Sequence, residues 1–503
     1  MTTGAETAAE RSDARPENPL DPRHFVPGAE SAAVPLVVAG SPRWVGETTE
    51  IVSPAYEHDR FRCAVADPGL VAEAAAAAHA ARDRCAEWDR SGRARILETM
   101  ATAIARDRDV LARVLTREVG KALRDSLGEV DRAVATLRAA AHAAAGLTGR
   151  EIPVDAVPSG RGRYAHTVWE PVGVVAAICG FNFPLLLAVH KVSAAIGAGC
   201  PVLIKPSDRT PLATVALAGY AVAAGWPAGA ISVLSGDALV GKALVEHPAV
   251  RLVSFTGSTA VGAAIAATAG AQLKRTVLEL GSNAATIVAA DADLDLAARR
   301  CAHGAMASSG QSCISVQRVF AERSIAAGLA EAMAEYAAGL RIGDPYDPAT
   351  ELGRVISAQA AERLAAMIED AVTGGATLLT GGVRDRTVLP TVLYAPADDA
   401  EISRHEAFGP VVAVYPVDSL DDAVAAANSL EFGLMAGVFT SSIDTATRVA
   451  AALETGGVHI NECSNFRADN MPYGGVKGSG YGKEGPASAI REMSVEKVVT
   501  WAR

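Results

Sequence analysis

The chain has 503 residues and a formal net charge of −11, with half of its residues hydrophobic and a fifth charged. That length exceeds one ordinary hydrophobic core, which predicts two large domains and a smaller element, and the negative charge argues against nonspecific binding to nucleic acid or anionic membranes. Seven scattered cysteines without a CxxC pair, and the lack of a transmembrane-length apolar run or a secretory signal pattern, favour a reduced cytoplasmic protein.

The first 150 residues combine a polar start with helical periodicity. Residues 1–30 are polar, include prolines and show no period, which predicts a mobile tail. Residues 34–38 have the pattern of a first strand. Apolar residues at helical spacing predict helices within 69–116 and over 120–145.

Two segments alternate between apolar and polar residues in a way that predicts strands outside the main sheets. The first covers residues 148–175, with a turn near Pro158, and the second covers residues 493–501. Because isolated amphipathic strands need a partner sheet, we expect them to form a small element that joins subunits.

Short β-branched runs alternate with helical stretches through the rest of the chain. The predicted strands of a first series, between Val172 and about Val277, cover residues 172–178, 201–204, 231–234 and 252–255. Those of a second series, between Asn283 and about Tyr473, lie near residues 285–288, 318–319, 412–415, 435–439 and 457–460. This βαβ rhythm predicts an α/β protein with doubly wound parallel sheets.

Cys313 lies in a loop of small residues, SGQSCISV, at 309–316. Glycine and serine leave the thiol uncrowded and let the backbone approach a ligand, so Cys313 is a candidate nucleophile if its surroundings lower its pKa. The alternative is a buried structural thiol, because free cysteine packs as a small hydrophobic residue.

Three short motifs offer candidate nucleotide contacts. The turn after strand 252–255 contains Gly257 and leads into a helix whose N–H groups can meet a phosphate, although a plain strand–turn–helix connection has the same pattern. Lys205 and Asp208 follow strand 201–204 at the carboxyl end of the sheet and can hold ribose hydroxyls, or form a solvated surface pair. Glu406 is a further candidate carboxylate or a simple exposed side chain.

Seven motifs occur in the order and at the spacing of one known family. They are FNFP (181–184), KPSD (205–208), FTGSTAVG (255–262), LELGSN (278–283), GQSCISVQR (310–318), EAFGP (406–410) and MPYGGVKGSGYGKEG (471–485). After the tail, the chain resembles the NAD(P)-dependent aldehyde dehydrogenase superfamily. The motifs GQSCISVQR and FRADNMPYGGVK look closest to its lactaldehyde and phosphonoacetaldehyde dehydrogenase branch.

The resemblance implies an aldehyde dehydrogenase-like fold with two doubly wound parallel-sheet domains and a small β oligomerisation element. Its domains would be a cofactor-binding domain at 31–147 and 169–279, a catalytic domain at 280–480, and an oligomerisation element at 148–168 and 481–503. A homodimer or homotetramer is implied in turn.

The resemblance also implies that Cys313 attacks the aldehyde and passes through a thiohemiacetal and a thioester. The Asn182 side-chain amide and the Cys313 backbone N–H would hold the oxyanion, and Glu279 would activate the water that hydrolyses the thioester. Lys191 and Glu484 match positions of a proton relay. Because Glu279 is present, hydrolysis to a free acid is expected rather than transfer to coenzyme A.

The implied cofactor is NAD. Lys205 and Asp208 would hold the adenosine ribose, Ser258 the pyrophosphate, and Glu406 with Phe408 the nicotinamide ribose. The other implied cofactor contacts are Ile178, Phe181, Ser207, Gly241, Phe255, Gly257, Leu280 and Gly281. The Asp208 carboxylate should repel a 2′-phosphate, but Arg209 beside it leaves NADP open.

Five substrate-tunnel positions of the family carry over to this chain. They are occupied by Arg132, Phe183, His190, Ser312 and Arg467. Two guanidiniums converging on a small cavity suit a carboxylate, phosphonate, sulfonate or phosphate, so a short polar aldehyde with an anionic far end is expected. Alternatively, one or both arginines pair with Asp131 or Asp469, or point outward.

Competing functions differ in what they require of these residues. A succinate-semialdehyde or aromatic-aldehyde dehydrogenase would share the fold, but an aromatic substrate would need a more apolar tunnel. A noncatalytic nucleotide-binding protein would not need Cys313, Glu279 and Asn182 together, and all three are present. No metal is expected, because no His, Asp or Glu cluster has ligand spacing.

Overall fold

The computed structural model describes residues 18–28, 33–384 and 387–502. Of the predicted tail, residues 1–17 and 29–30 lie outside the described residues. Residues 18–28 are packed rather than mobile, because Leu20 and Phe25 are buried in the same core as the helices that follow. A 3₁₀ helix, Pro22–His24, lies between them, and Arg23 forms an ion pair of 2.7 Å with buried Asp107.

The described chain alternates strands and helices. The strands are β1 (Leu36–Val38), β2 (Ser41–Arg43), β3 (Thr48–Val52), β4 (Arg60–Ala64), β5 (Glu151–Ile152), β6 (Arg163–Pro171), β7 (Val174–Ile178), β8 (Val202–Lys205), β9 (Ile231–Val233), β10 (Val250–Thr256), β11 (Arg275–Glu279), β12 (Ala285–Val288), β13 (Arg318–Glu322), β14 (Thr377–Arg384), β15 (Thr387–Tyr394), β16 (Val411–Val417), β17 (Met435–Phe439), β18 (Gly457–Ile460), β19 (Gly480–Tyr481) and β20 (Ser494–Ala502).

The helices confirm the predicted helical stretches between 69 and 145. They are α1 (Pro68–Glu87), α2 (Arg90–Arg106), α3 (Arg108–Val119), α4 (Leu123–Ala145), α5 (Pro184–Ala198), α6 (Leu212–Ala223), α7 (Ala238–Glu246), α8 (Thr259–Gly270), α9 (Leu294–Met306), α10 (Arg323–Ala338), α11 (Ala358–Thr373), α12 (Glu401–Arg404), α13 (Leu420–Asn428), α14 (Ile443–Ala452) and α15 (Pro486–Glu492). Further 3₁₀ helices cover Val154–Ala156, Pro158–Gly160, Ala228–Ala230, Ala307–Gly310 and Lys477–Ser479. Within the described ranges, every helix is too short or too polar to cross a membrane.

The first α/β series forms an eight-stranded sheet in the order β19-β11-β10-β7-β8-β9-β1-β2. Strands β11, β10, β7, β8 and β9 are parallel, and the others pair antiparallel at the two ends. Alternate residues of β7 pack in two different hydrophobic cores, one shared with α5 and the other with α1. Helices on both faces explain why β7 is apolar throughout. The predicted parallel sheet is confirmed, and β11 is an addition to its predicted strands.

The second series forms a seven-stranded sheet in the order β14-β15-β16-β13-β12-β17-β18. From β15 to β18 every neighbouring pair is parallel, as predicted, whereas β14 pairs antiparallel with β15. The β14–β15 hairpin is missing from the predicted strands. Two glycines, Gly381 and Gly382, interrupt the apolar pattern of β14, and most of that strand is partly exposed.

The two amphipathic segments predicted as strands do pair with each other. β20 and β6 form an antiparallel ladder from Ser494 opposite Pro171 to Ala502 opposite Arg163, and β5 completes a three-stranded sheet. Two large apolar side chains of this small sheet, Val498 and Trp501, are about 60% exposed.

A buried ion pair sets the start of α5. Lys121 and Glu129 pair with neither side chain exposed to solvent. Glu129 accepts hydrogen bonds from the backbone N–H groups of Leu185 and Leu186 at 2.9 and 3.0 Å, which caps the helix N-terminus. Lys121 donates to the backbone carbonyl of Asn182 at 3.1 Å. The pair therefore fixes the segment between β7 and α5.

Replacing Lys121 with Met should leave the Glu129 carboxylate buried without its cation. We expect the free energy of unfolding to fall by about 3–5 kcal/mol, measured by urea unfolding. The matched control is Arg43→Met, which breaks an exposed pair with Glu73 and should cost less than about 1 kcal/mol. Equal, small losses for both variants would contradict the structural role of the buried pair.

Candidate active site

A cavity of about 300 Å³ at the carboxyl ends of the first sheet is lined by three of the five predicted catalytic residues, Asn182, Glu279 and Cys313. Asn182 follows β7, Glu279 ends β11, and β10 lies between these two strands. Parallel neighbours end at one edge of a sheet, which brings the two side chains together. Cys313 reaches the same cavity from the loop before β13 of the second sheet. The cavity therefore brings together Asn182 and Cys313, which are 131 positions apart in the chain.

The loop that presents Cys313 has an unusual backbone. Ser308, Ser309 and Gly310 all have positive φ, at 52°, 56° and 66°. A Cβ at Gly310 would lie 2.0 Å from the carbonyl oxygen of Gly409, so only glycine fits there. Asp125 accepts from the Ser308 N–H at 3.1 Å and anchors the turn.

The thiol of Cys313 is partly buried and lies 3.1 Å from the hydroxyl of Tyr473. Burial raises the pKa of Cys313 to about 12. The hydroxyl of Tyr473 and the charge of Arg467 oppose that rise, whereas Glu406 and Glu279 add to it. The reactivity of the thiol thus depends on its immediate polar neighbours.

Asn182 is held against the cysteine loop. Its side-chain amide donates to the backbone carbonyl of Gln311 at 2.8 Å, two residues before Cys313. The Gln311 side chain is itself fixed, because its Oε1 accepts from the backbone N–H of Ile356 at 2.8 Å. The amide group of Asn182 carries a second N–H for an oxyanion at Cys313.

Glu279 is buried, and neither of its carboxyl oxygens has a hydrogen-bond partner among the described residues. Burial raises the pKa of Glu279 well above its usual range, and the nearby Glu484 raises it further. Arg467, Lys191 and Lys483 act in the opposite direction. An unpartnered carboxyl with a raised pKa is suited to accept a proton from water.

Lys191 and Glu484 form a buried ion pair of 2.8 Å behind Glu279. Lys191 also donates to the hydroxyl of Thr256 at 2.6 Å. Although burial raises the pKa of Glu484, Lys191 and Arg467 bring it below its usual range. Glu484 is therefore a carboxylate beside a more easily protonated Glu279, as a proton relay requires.

The substrate contact predicted for His190 stays a prediction. His190 does not line the cavity of Cys313 but lies buried in α5, bordering a separate space of about 10 Å³ with Lys191 and Glu484. Burial lowers the pKa of His190 well below its usual value, so the imidazole is neutral. Spacing along α5 could not show that the position faces inward toward these charges.

The other four predicted substrate residues do line the catalytic cavity. They are Arg132, Phe183, Ser312 and Arg467. Arg132 pairs with Asp469 at 2.9 Å while bordering the cavity, so the pairing alternative and the cavity position hold together. Arg467 lies over the ring of Tyr473, 3.8 Å from its centroid, and within 3.5 Å of Glu484.

A second cavity of about 790 Å³ adjoins the first and shares Gly180, Phe181, Thr256 and Gly257 with it. It is lined by eight predicted cofactor residues: Ile178, Phe181, Lys205, Ser207, Asp208, Gly241, Phe255 and Gly257. The remaining five line the catalytic cavity: Ser258, Leu280, Gly281, Glu406 and Phe408. A continuous space with a basic residue at one end and the thiol at the other fits an extended dinucleotide.

Polar groups in these cavities match a nucleotide. Lys205 donates only to the Pro206 carbonyl, at 3.2 Å, within the described residues, so further donors remain for ribose hydroxyls. Glu406 accepts from the Ser282 N–H at 3.1 Å, and burial raises its pKa to about 7. A Cβ at Gly281 would lie 2.9 Å from Glu406 Oε2, which explains a glycine beside this carboxylate.

Several residues of the site escaped sequence reasoning. Tyr473 contacts the thiol, Gln311 holds Asn182, and Lys121 with Glu129 holds the start of α5. Tyr473 and Gln311 lie inside recognised motifs, so their motif membership was an available signal. The ion pair has no local signal, because Lys121, in the connection between α3 and α4, and Glu129, in α4, are distant from FNFP in sequence.

Residues 44–499 match the family model described as "Aldehyde dehydrogenase family". The chain belongs to the aldehyde dehydrogenase family. A 3-sulfolactaldehyde dehydrogenase from Priestia aryabhattai is 38% identical over 467 residues, 92% of this chain and 97% of the relative. A lactaldehyde dehydrogenase from Methanococcus aeolicus is 37% identical over 410 residues, 80% of this chain and 86% of the relative.

A solved structure of aldehyde dehydrogenase 21 from Physcomitrella patens, in complex with the reaction product succinate, superimposes with a TM-score of 0.89. It is 32% identical and covers 93% of this chain and 98% of its own. These findings confirm the superfamily, the α/β fold and the lactaldehyde-like branch. As an aldehyde dehydrogenase, the chain is an oxidoreductase that acts on aldehydes with NAD or NADP.

Replacing Glu484 with Gln should lower the pKa of Glu279, because it removes a neighbouring negative charge. Glu279 must lose its proton to act as a base, so thioester hydrolysis should decline as pH falls through this pKa. In the variant, the acidic limb of single-turnover hydrolysis against pH should therefore move about one unit lower. The control Glu462→Gln, which alters a carboxylate paired with Arg300, should leave the limb in place. A limb that stays put or moves upward in Glu484→Gln would contradict the coupling.

Proposed function

We propose that the protein oxidises a short aldehyde with an anionic far end to its carboxylic acid, with NAD and through a thioester on Cys313. The observation that carries the substrate class is the presence of two guanidiniums, Arg132 and Arg467, in the lining of the cavity that contains the thiol. Its volume of about 300 Å³ lies at the lower end for small-molecule sites, which suits a short substrate.

Arg467 offers a specific signal for a missing acceptor. Its side chain is 8% exposed, and its buried Nε has no hydrogen-bond partner in the described parts of the chain. Arg132 uses its Nε and one terminal nitrogen on Asp469, which leaves part of its fork for another acceptor. An oxyanion with several oxygens can satisfy both donors, as a neutral alkyl end cannot.

Each catalytic side chain has a defined task in this scheme. The sulfur of Cys313 forms a bond to the aldehyde carbon, and the new oxyanion takes hydrogen bonds from the Asn182 amide and the Cys313 N–H. Bound NAD supplies the acceptor for the hydride. Glu279 then removes a proton from the water that attacks the thioester carbon, and the C–S bond breaks to release the acid and the Cys313 thiolate. Lys191 and Glu484 carry the proton away from Glu279.

Hydrolysis is the outcome that Glu279 favours. Its carboxyl is buried within the catalytic cavity and has no hydrogen bond within the described residues that would hold it away from water. The convergence of Cys313, Asn182 and Glu279 in one cavity also argues against a noncatalytic nucleotide-binding protein. For an aromatic aldehyde the two arginines would be poor neighbours, whereas succinate semialdehyde belongs to the proposed substrate class.

The relatives support a short polar substrate. The two curated relatives are named for 3-sulfolactaldehyde and lactaldehyde, and the plant structure holds succinate. Two of these compounds carry an anionic group at one end. These two compounds belong to the substrate class that Arg132 and Arg467 suggest for this chain.

NAD is the proposed cofactor on the basis of where two adjacent side chains lie. Asp208 borders the cofactor cavity, where its carboxylate opposes a 2′-phosphate. Arg209 instead borders two neighbouring cavities, one of which also contains Arg60 and Arg354. Arg209, the residue that made NADP use possible in the sequence analysis, is therefore not part of the lining of the cofactor cavity.

We further propose the domain division expected from the sequence, with cofactor binding at 31–147 and 169–279, catalysis at 280–480 and oligomerisation at 148–168 and 481–503. The exposed apolar residues of the β20–β6–β5 sheet support a homodimer or homotetramer assembled through it. All seven cysteines are free thiols, which supports a cytoplasmic location.

Replacing Arg132 with Leu should raise KM for an anionic aldehyde such as 3-sulfolactaldehyde or succinate semialdehyde on the order of tenfold to a hundredfold, the range of a hydrogen bond to a charged group. KM for propionaldehyde should change less than about twofold. The matched control is Arg138→Leu on the same helix, whose side chain is exposed and pairs loosely with Glu98. Equal effects on both aldehydes would overturn the anionic substrate class.

Replacing Asp208 with Ser should narrow the preference for NAD over NADP, because the repulsion of the 2′-phosphate is removed. NADPH and NADH formation at saturating aldehyde gives the ratio of the two kcat/KM values. Arg209→Ala should leave the NADP value unchanged. If instead Arg209→Ala weakens NADP use selectively, the cofactor assignment is wrong.

A further inference from the structure

Tyr473 is the polar side chain nearest to the sulfur of Cys313. Its hydroxyl oxygen lies 3.1 Å from Sγ, and its ring is buried. The backbone of Tyr473 exchanges two hydrogen bonds with Glu484, at 3.0 and 2.7 Å. This double connection ties the position of the hydroxyl to the buried ion pair of Glu484 and Lys191.

The Tyr473 hydroxyl can stabilise the Cys313 thiolate by donating a hydrogen bond to its sulfur. A thiolate has no proton to donate, so in the Cys313–Tyr473 contact the phenol must then be the donor. Of the charged groups that face the sulfur, Glu279 and Glu406 disfavour the thiolate, and Arg467 favours it. The donor at 3.1 Å therefore opposes desolvation and the two acidic neighbours, which favour the protonated thiol.

Arg467 improves this donor. Burial raises the pKa of Tyr473 well above its usual value, and the Arg467 guanidinium, 3.8 Å from the ring centroid, opposes that rise by favouring negative charge on the phenol oxygen. A phenol that gives up its proton more readily makes a stronger hydrogen bond to a thiolate. Arg467 therefore acts on the nucleophile through Tyr473 as well as lining the substrate cavity.

We propose that Tyr473 is a catalytic residue that donates a hydrogen bond to the thiolate of Cys313, with Arg467 as the positioning residue that holds and polarises its ring. The thiol proton leaves to solvent and Tyr473 keeps its own. When sulfur bonds to the aldehyde carbon, the negative charge moves to the aldehyde oxygen, where the Asn182 amide can donate a hydrogen bond to it. The inference rests on the proposed function only in taking Cys313 as the nucleophile.

Alkylation of Cys313 by iodoacetamide, followed by peptide mass spectrometry across a pH series, tests this role without any substrate. In Tyr473→Phe the apparent pKa of alkylation should rise by about one unit, which slows modification near neutral pH about tenfold. Tyr220→Phe, which removes a buried hydroxyl bonded to Asp107 far from the site, is the control and should retain the wild-type profile.

A second variant keeps the shape of the side chain. 3-Fluorotyrosine introduced at position 473 has a more acidic phenol, so it should shift the alkylation pKa in the opposite direction, toward lower pH. This variant also answers the case in which Tyr473→Phe folds poorly. An unchanged alkylation profile in folded Tyr473→Phe, or an upward shift with fluorotyrosine, would overturn the proposal.

Steady-state kinetics separates this role from substrate recognition. Tyr473→Phe should lower kcat/KM by the same factor for 3-sulfolactaldehyde and propionaldehyde, because the hydroxyl acts on the nucleophile. Arg132→Leu should affect only the anionic aldehyde. If the anionic substrate class fails, the alkylation result still decides the role of Tyr473, and a selective loss for one aldehyde in Tyr473→Phe would count against it.

Discussion

Two cationic side chains and two carboxyl groups are buried together at the catalytic cavity. Lys191 pairs with Glu484 at 2.8 Å, Arg467 approaches the same carboxylate at 3.5 Å, and Glu279 is buried next to them without a hydrogen bond from any described residue. Isolated buried charges are costly, so each of these groups sets the protonation of the others. The ionised form of Glu484 is favoured, whereas Glu279 is shifted toward its protonated form. Glu484 therefore acts as the charged carboxylate, and Glu279 is the group that can take up and release a proton.

The backbone around the site is fixed by the same kind of constraint. The Lys121–Glu129 pair caps α5 and holds the carbonyl of Asn182, Gln311 links Asn182 to the cysteine loop, and the hydrogen bonds between Tyr473 and Glu484 connect the aromatic ring to the ion cluster. Removing the charge of Lys121, Glu129 or Glu484 should therefore affect the position of the Cys313 thiol as well as local stability.

The sequence predicted most of the fold because parallel sheets covered by helices leave long apolar runs. It placed ten of the strands and the small antiparallel sheet, and it identified Cys313, Asn182 and Glu279 through motifs. It missed the β14–β15 hairpin, where Gly381 and Gly382 break the pattern, and it could not show that His190 borders a separate small space. Inward rotation of a position on an entirely buried helix leaves no periodic signal, since every residue of α5 is buried.

Partnerships between distant segments were also beyond sequence reasoning. The pairing of Arg132 with Asp469 was one of several alternatives, and nothing local distinguishes it from pairing with Asp131. In the structure Asp131 instead accepts from Arg108, which leaves Arg132 to approach Asp469 across the cavity. Such choices depend on three-dimensional distances between helices and loops, which motif order does not contain.

The most direct test of the account is intact-protein and peptide mass spectrometry of Glu279→Gln after mixing with NAD and an anionic aldehyde. The variant lacks the base for thioester hydrolysis, so the account predicts one equivalent of NADH and an acyl group retained on Cys313. With propionaldehyde at the same concentration the acylation should be slower. Continued NADH formation with an unmodified Cys313, or an acyl group on another residue, would contradict the account.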